Sequence, residues 1–192
     1  GEIKIGNRVI KNFDGKARGV RTMTQVLEES LNTGAVFAMT RLGGEKLKEY
    51  FYKFGLSERT GIELPGELKG DLSNLESGRE VEFATASFGQ GIAVTPLEFT
   101  MALASLANGG KLMAPYIRED GAPKVLRETI KPETSAKITA MLVDVVDTAL
   151  AGGKVKMDRY AIAAKTGTAQ IPASKFGGAN AKGYSEEYLH SF

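Results

Sequence analysis

The chain has 192 residues, no Cys, no Trp and a single His, and its 25 Lys plus Arg against 23 Asp plus Glu give a formal charge of +2. The absence of Cys excludes a disulfide framework, an iron–sulfur cluster and thiolate zinc sites, and one His excludes a multi-histidine metal centre. The near balance of charge gives no electrostatic case for nucleic acid, and 42% hydrophobic with 25% charged residues excludes a disordered tail.

A chain of this length suits one domain or a large piece of one, burying roughly 70% of its unfolded surface. No stretch approaches the roughly 18 apolar residues of a membrane span. Gly1-Glu2-Ile3-Lys4 has no basic-then-apolar signal pattern. The abrupt, strand-like start without Met is read as a segment cut from a longer protein, with any targeting or anchor segment upstream.

Taken in chain order, Ile3-Lys4-Ile5 and Arg8-Val9-Ile10 flank Gly6-Asn7, a two-residue turn of the kind hairpins prefer. Thr22 with Gln25 forms a capping-box pattern that opens a short helix to about Ser30. Further helices are predicted over 33–42 and 45–54. In the second of these Leu47, Tyr50, Phe51 and Phe54 repeat at helical spacing and Gly55 is the stop. Residues 56–82 read as polar loop. Thr95-Pro96-Leu97-Glu98 is a helix start with cap, first-turn proline and reciprocal acid. The helix runs to Asn108-Gly109, and its nearly all-round apolar surface predicts a deeply buried position. Lys124 to Leu126 is strand-like. Pro132 opens a last helix whose stripe runs from Ile138 through Ala149 to a stop at Gly152. Residues 160–165 read as a strand, 171–187 as a flexible loop, and 188–192 as the start of a partner strand. The glycine pairs at 43–44, 109–110 and 152–153 read as helix stops; a fourth pair lies at 177–178. Strands placed around a block of helices define an α+β class, with an antiparallel sheet packed against a helical block.

Lys165-Thr166-Gly167-Thr168 directly follows the predicted strand. A cation with two hydroxyls around a bare glycine can hold a carboxylate, and the missing side chain leaves room for another backbone to add to the strand edge. Taken alone, the tetrapeptide also reads as an ordinary strand end. Ser30-Leu31-Asn32, 135 residues before Lys165, reads by itself as a helix end.

The two together, in this order, resemble the second and third motifs of the penicillin-binding proteins, the class B transpeptidase domain in particular. The resemblance extends through Ser30-Leu31-Asn32-Thr33-Gly34-Ala35, Phe54-Gly55-Leu56, Thr60-Gly61-Ile62-Glu63-Leu64-Pro65-Gly66-Glu67 and Gly89-Gln90-Gly91-Ile92-Ala93-Val94-Thr95-Pro96-Leu97. It closes with Lys165-Thr166-Gly167-Thr168-Ala169-Gln170 and His190-Ser191-Phe192, so that it covers most of 1–192. The chain also departs from the pattern. None of its serines is followed by Lys at the third position, so the Ser-x-x-Lys motif that supplies the nucleophile is absent from these residues. Leu31 is also a less usual middle residue of the second motif. Residues 1–192 are thus expected to be a partial transpeptidase domain without the nucleophile segment and without the C-terminal strand and helix.

The resemblance implies a parent D,D-transpeptidase that cross-links peptidoglycan stem peptides ending in D-Ala-D-Ala through an acyl-serine, and that β-lactams acylate. It assigns Ser30 to proton relay, Asn32 to the acyl-side amide and to steadying the absent lysine, and Lys165 to a positive field. Thr166 and Thr168 take the terminal carboxylate beside Gly167, and the Thr168 N–H forms half of the oxyanion hole. It implies no cofactor and no metal. His190 is read as structural, since no Ser/His/Asp constellation accompanies it. The implied location is extracytoplasmic, on a parent anchored in the cytoplasmic membrane, alongside other cell-wall synthesis proteins. The 94–110 stretch is somewhat closer to division-type members, with elongation and sporulation left open. A piece without its nucleophile helix is expected to expose apolar surface and to dimerise or swap elements. The alternative reading is a non-catalytic, transpeptidase-like module that binds peptides. A β-lactamase or carboxypeptidase relative fits less well, because the helical segment 89–110 looks more like class B proteins.

Overall fold

A computed structural model describes residues 1–173 and 183–191. The chain opens with a hairpin, β1 (Glu2–Ile5) and β2 (Arg8–Lys11), paired antiparallel in the register Glu2↔Lys11 to Ile5↔Arg8. Gly6 makes the turn at φ +55, where a side chain is disfavoured. Alternation buries Ile5 and Ile10 and leaves Lys4, Val9 and Lys11 exposed on the other face.

The helical block follows: α1 (Met23–Glu28), α2 (Asn32–Leu42), α3 (Gly44–Lys53), α4 (Glu80–Ala86) and α5 (Pro96–Ala107). Both predicted capping boxes form, Thr22 with Gln25 and Thr95 with Glu98. The core gathers Val36 and Met39 of α2, Leu56, Leu72 and Leu75 of the intervening loop, and Phe83 and Ala84 of α4 beneath the hairpin. Each such buried Leu or Phe contributes about 1.5–3 kcal/mol relative to exposure. Strand β3 (Lys111–Met113) pairs antiparallel with β4 (Val125–Glu128). Helix α6 (Pro132–Asp144) packs on α5 and on α1. Strands β5 (Gly167–Pro172) and β6 (Tyr184–Ser191) form the last antiparallel pair. The class is α+β, with the strands of the described residues in three separate two-stranded sheets.

Several expectations need correction. The region read as loop over 56–82 holds a 3-10 turn at Ser73–Ser77 and the beginning of α4, whose Phe83, Ala84 and Ala86 are buried. Helix α5 is not buried all round: Met101, Ala102 and Ser105 face inward, but Phe99 and Leu103 are nearly half exposed, because no described element packs over that face. The last helix does not continue regularly to Gly152. It passes into a π turn at Val145–Ala149, and positive φ at Ala151 and Gly152 then ends it. Residues 160–165 form no strand beyond a single bridge between Met157 and Tyr160. The described ladder begins only at Gly167, opposite Ser191. Of the expected loop over 171–187, the two ends are strand, with β5 reaching Pro172 and β6 starting at Tyr184, and 174–182 lie outside the described residues. Gly177, Gly178 and Phe192 lie outside the described residues.

Candidate active site

The α1–α2 junction carries the first half of the site. The N–H of Leu31 donates to Val26 O at 3.0 Å and that of Ser30 to Leu27 O at 3.2 Å, the paired bonds of a Schellman helix stop. That stop requires a left-handed residue, usually Gly, and Ser30 fills it at φ +50. A side chain there costs about 1–2 kcal/mol. Buried Leu31 supplies the accompanying apolar contact. The result is a serine hydroxyl presented on an exposed corner between two helices. Gly34 lets α2 lie against α1, since a Cβ there would come within 2.5 Å of both Val26 methyls.

Asn32 is the first residue of α2, and its Nδ2 donates to Lys11 O at 2.9 Å. Its neighbour Thr33 is held by Asn12, whose Oδ1 accepts from Thr33 N at 3.1 Å and Thr33 Oγ1 at 3.0 Å. The hairpin is therefore clipped onto the start of α2 by side-chain amides from both elements.

The second half comes from the start of β5. Lys165 Nζ donates to Ser30 Oγ at 2.8 Å and to Thr166 O at 2.8 Å. Partial burial pushes the Lys165 ammonium below the ordinary lysine range, because the charge loses water. Thr166, Thr168 and Gln170, spaced two apart, line one cleft together with Ser30, Leu31 and Asn32. The cleft has a volume of about 630 Å³; its remaining walls come from the 11–14 turn, Phe88, Gln90 and Tyr188. At its edge Phe13 and Tyr188 meet edge to face at 6.3 Å. The rim carries a charge cluster: Arg18 pairs with Asp14 and, at 2.9 Å, with Glu29, which Arg21 also reaches at 2.6 Å. The Arg18 hydrogen bond holds the Asp14 carboxyl below its usual range.

The structure thus brings Ser30, Asn32, Thr166 and Thr168 to one cleft and hydrogen-bonds Lys165 to Ser30. Gly167 also meets the neighbouring strand. Its missing side chain makes room for Ser191 of β6, whose Oγ a Cβ would strike. Among the described residues β5 pairs only with β6, so its other edge is free of a strand partner. His190 sits opposite Thr168, with Nδ1 3.3 Å from Thr168 Oγ1. Sequence reasoning missed Asn12, Asp14, Arg18, Phe88 and Tyr188, which form the frame and rim. Gln90 was within reach, lying in the Gly89-Gln90-Gly91 segment already singled out.

Chemically, Ser30 Oγ accepts from the ammonium and keeps its own O–H free to donate into the cleft. That two-link chain can pass a proton between Lys165 and a bound group. The threonine hydroxyls beside it are suited to an anionic carboxylate.

Residues 2–189 match the penicillin binding protein transpeptidase domain, and the chain belongs to that family. It is 35% identical over 182 residues to Stage V sporulation protein D of Bacillus subtilis, covering 88% of this chain and 28% of that protein. It is 32% identical over 152 residues to peptidoglycan D,D-transpeptidase FtsI of Escherichia coli, covering 78% of this chain and 25% of that protein. The chain therefore spans little more than a quarter of the length of these relatives. Among solved structures, penicillin binding protein 3 of Mycobacterium tuberculosis complexed with ampicillin superposes with a TM-score of 0.80 at 28% identity, over 99% of this chain and 45% of that one. The transpeptidase domain of Burkholderia pseudomallei penicillin-binding protein 3 superposes with a TM-score of 0.83 at 23% identity, over 99% of this chain and 56% of that one. The fold is that of these domains.

Proposed function

We propose that residues 1–192 form the second- and third-motif part of a D,D-transpeptidase domain that cross-links peptidoglycan stem peptides. The Ser-x-x-Lys pair is supplied elsewhere in the whole protein. The observation that carries this reading is the Lys165–Ser30 hydrogen bond at a cleft shared with Asn32, Thr166 and Thr168.

In this reading Thr166 and Thr168 bind the terminal carboxylate of a D-Ala-D-Ala stem, or the corresponding carboxylate of a β-lactam. Lys165 adds a positive field at that end. The stem lies extended along the open edge of β5 in the manner of an added strand. The nucleophilic serine attacks the penultimate carbonyl, the Ser30–Lys165 pair conveys a proton to the departing D-Ala nitrogen, and a stem amine resolves the acyl-serine. Asn32 keeps its Oδ1 for the acyl-side amide while its Nδ2 holds Lys11 O. The substrate places the reaction on the outer side of the cytoplasmic membrane.

Intact-mass spectrometry after benzylpenicillin treatment tests the reading. The full-length protein is expected to gain one penicilloyl group on a serine outside residues 1–192, and the 192-residue chain to gain none. An unlabelled full-length protein would favour a peptide-binding module without turnover. A stoichiometric adduct on the short chain would place the nucleophile within it.

A further inference from the structure

Helix α2 begins without a side-chain cap of its own: Leu31 stands at its N-cap and makes no such bond. An uncapped N-terminus leaves backbone donors unsatisfied, a poor foundation for two site residues. The missing acceptor is supplied from 21 residues upstream. Asn12 is only 5% exposed, and its Oδ1 takes Thr33 N and Thr33 Oγ1 at 3.1 and 3.0 Å, the position a local cap oxygen would occupy. Its Nδ2 donates to Lys16 O at 3.0 Å, closing the turn that carries Phe13 and Asp14 along the cleft. Beside it Lys11 O takes the Asn32 amide. One buried carboxamide therefore joins three parts of the cleft: the hairpin, the 12–16 turn and the junction bearing Ser30 and Asn32.

We infer that Asn12 is a positioning residue for transpeptidation. It acts as a remote N-cap of α2 that fixes Ser30 toward Lys165 and Asn32 toward the cleft. The inference rests on the functional reading above and adds to it a residue with no direct part in the chemistry. The Ser30 corner has a left-handed φ that its own side chain does not favour, so it depends on neighbours to hold it. Loss of the cap removes one of those neighbours. Displacement of a reacting group by about 1 Å can cost on the order of a hundredfold in rate.

The test is the acylation rate of the full-length protein by a fluorescent penicillin, measured with thermal unfolding, for the wild type, Asn12→Ala, Asn12→Asp and Leu112→Ala. Asn12→Asp keeps the acceptor for Thr33 but loses the donor to Lys16 O, and Leu112→Ala weakens a buried site at β3 that does not line the cleft. Asn12→Ala is expected to slow acylation by roughly ten- to a hundredfold. Asn12→Asp is expected to recover part of that loss through the retained cap, and Leu112→Ala to acylate at the wild-type rate per folded molecule whatever its stability. Where Asn12→Ala does not fold, Thr33→Val decides: it removes one donor to Asn12, and a slowed acylation at near wild-type stability supports the inference. Wild-type rates in Asn12→Ala, or in Thr33→Val where Asn12→Ala does not fold, or an equal loss in Leu112→Ala would overturn it. A wild-type protein that takes no label at all overturns the functional reading itself, a result distinct from any of these.

Discussion

Lys165 Nζ lies 2.8 Å from Ser30 Oγ, although 135 positions of sequence separate the two residues. The bond joins the entrance of β5 to the corner between α1 and α2, and so closes one side of the cleft. It is also the link through which a charge at the strand end acts on a hydroxyl at the helix junction.

Removal of the cation is expected to impair chemistry far more than folding. In the full-length protein Lys165→Ala should reduce the second-order rate of β-lactam acylation by about a hundredfold or more. The thermal midpoint should stay near that of the wild type, because the group is only half-buried and has no carboxylate partner among the described residues. Stopped-flow acylation kinetics and calorimetry on the same samples check both halves. Lys165→Arg is not expected to restore the rate, since a planar guanidinium does not reproduce an ammonium aimed at one hydroxyl.

The depressed proton affinity of Lys165 has two pH signatures of opposite sign. Acylation that needs the cation falls as pH rises through the lowered value, so its alkaline limb should lie below the ordinary lysine range. Stability behaves differently. The unfolded chain binds this proton more tightly than the folded one, so the Lys165 contribution to folding improves as pH rises from the lowered folded value to the ordinary unfolded one. A pH–rate profile, with pH-dependent unfolding of wild type against Lys165→Met, measures both; the variant should lose the stability component.

Ser30 holds a backbone position that suits glycine better. Ser30→Gly should therefore be more stable than Ser30→Ala by about 1 kcal/mol, while both lose the hydroxyl and with it most of the acylation rate. Urea unfolding read beside penicillin labelling would show a more stable but slower protein.

Glu98 is 1% exposed, and its carboxylate accepts Gly70 N at 2.8 and 3.0 Å and Thr95 N at 2.7 Å. It ties the start of α5 to the loop bridged at Asp71–Ala93, next in sequence to the cleft-lining Gln90. Glu98→Ala strands one buried and one part-buried N–H group and should cost about 2–4 kcal/mol of stability. Glu98→Gln keeps an acceptor and should cost less than half as much. Chemical denaturation midpoints for the two variants check the order.

The parts of the fold that could be read in advance are those decided by local chemistry. Thr22 and Thr95 announce their helices because cap and reciprocal side chain lie within four residues. The Gly6-Asn7 hairpin is equally local. The misread parts are those decided by distant partners. Residues 160–165 are apolar enough for a strand, but the described pairing with β6 starts at Gly167. Helix α4 has no side-chain cap, and only the burial of Phe83 and Ala84 marks it. The site divides in the same way. Ser30, Asn32, Lys165 and the threonines were legible through the resemblance to the family's second and third motifs, since each short motif alone also reads as an ordinary helix or strand end. Asn12 was invisible because its role depends on meeting Thr33 across a tertiary contact.

The most direct measurement is a crystal structure of the full-length protein acylated by a β-lactam. The account predicts the drug carboxylate within hydrogen-bonding distance of the Thr166 and Thr168 hydroxyls, the Lys165–Ser30 bond intact, and the acyl chain along the open edge of β5. A drug bound away from this cleft, or one whose carboxylate is held by groups other than Thr166, Thr168 and Lys165, would contradict it.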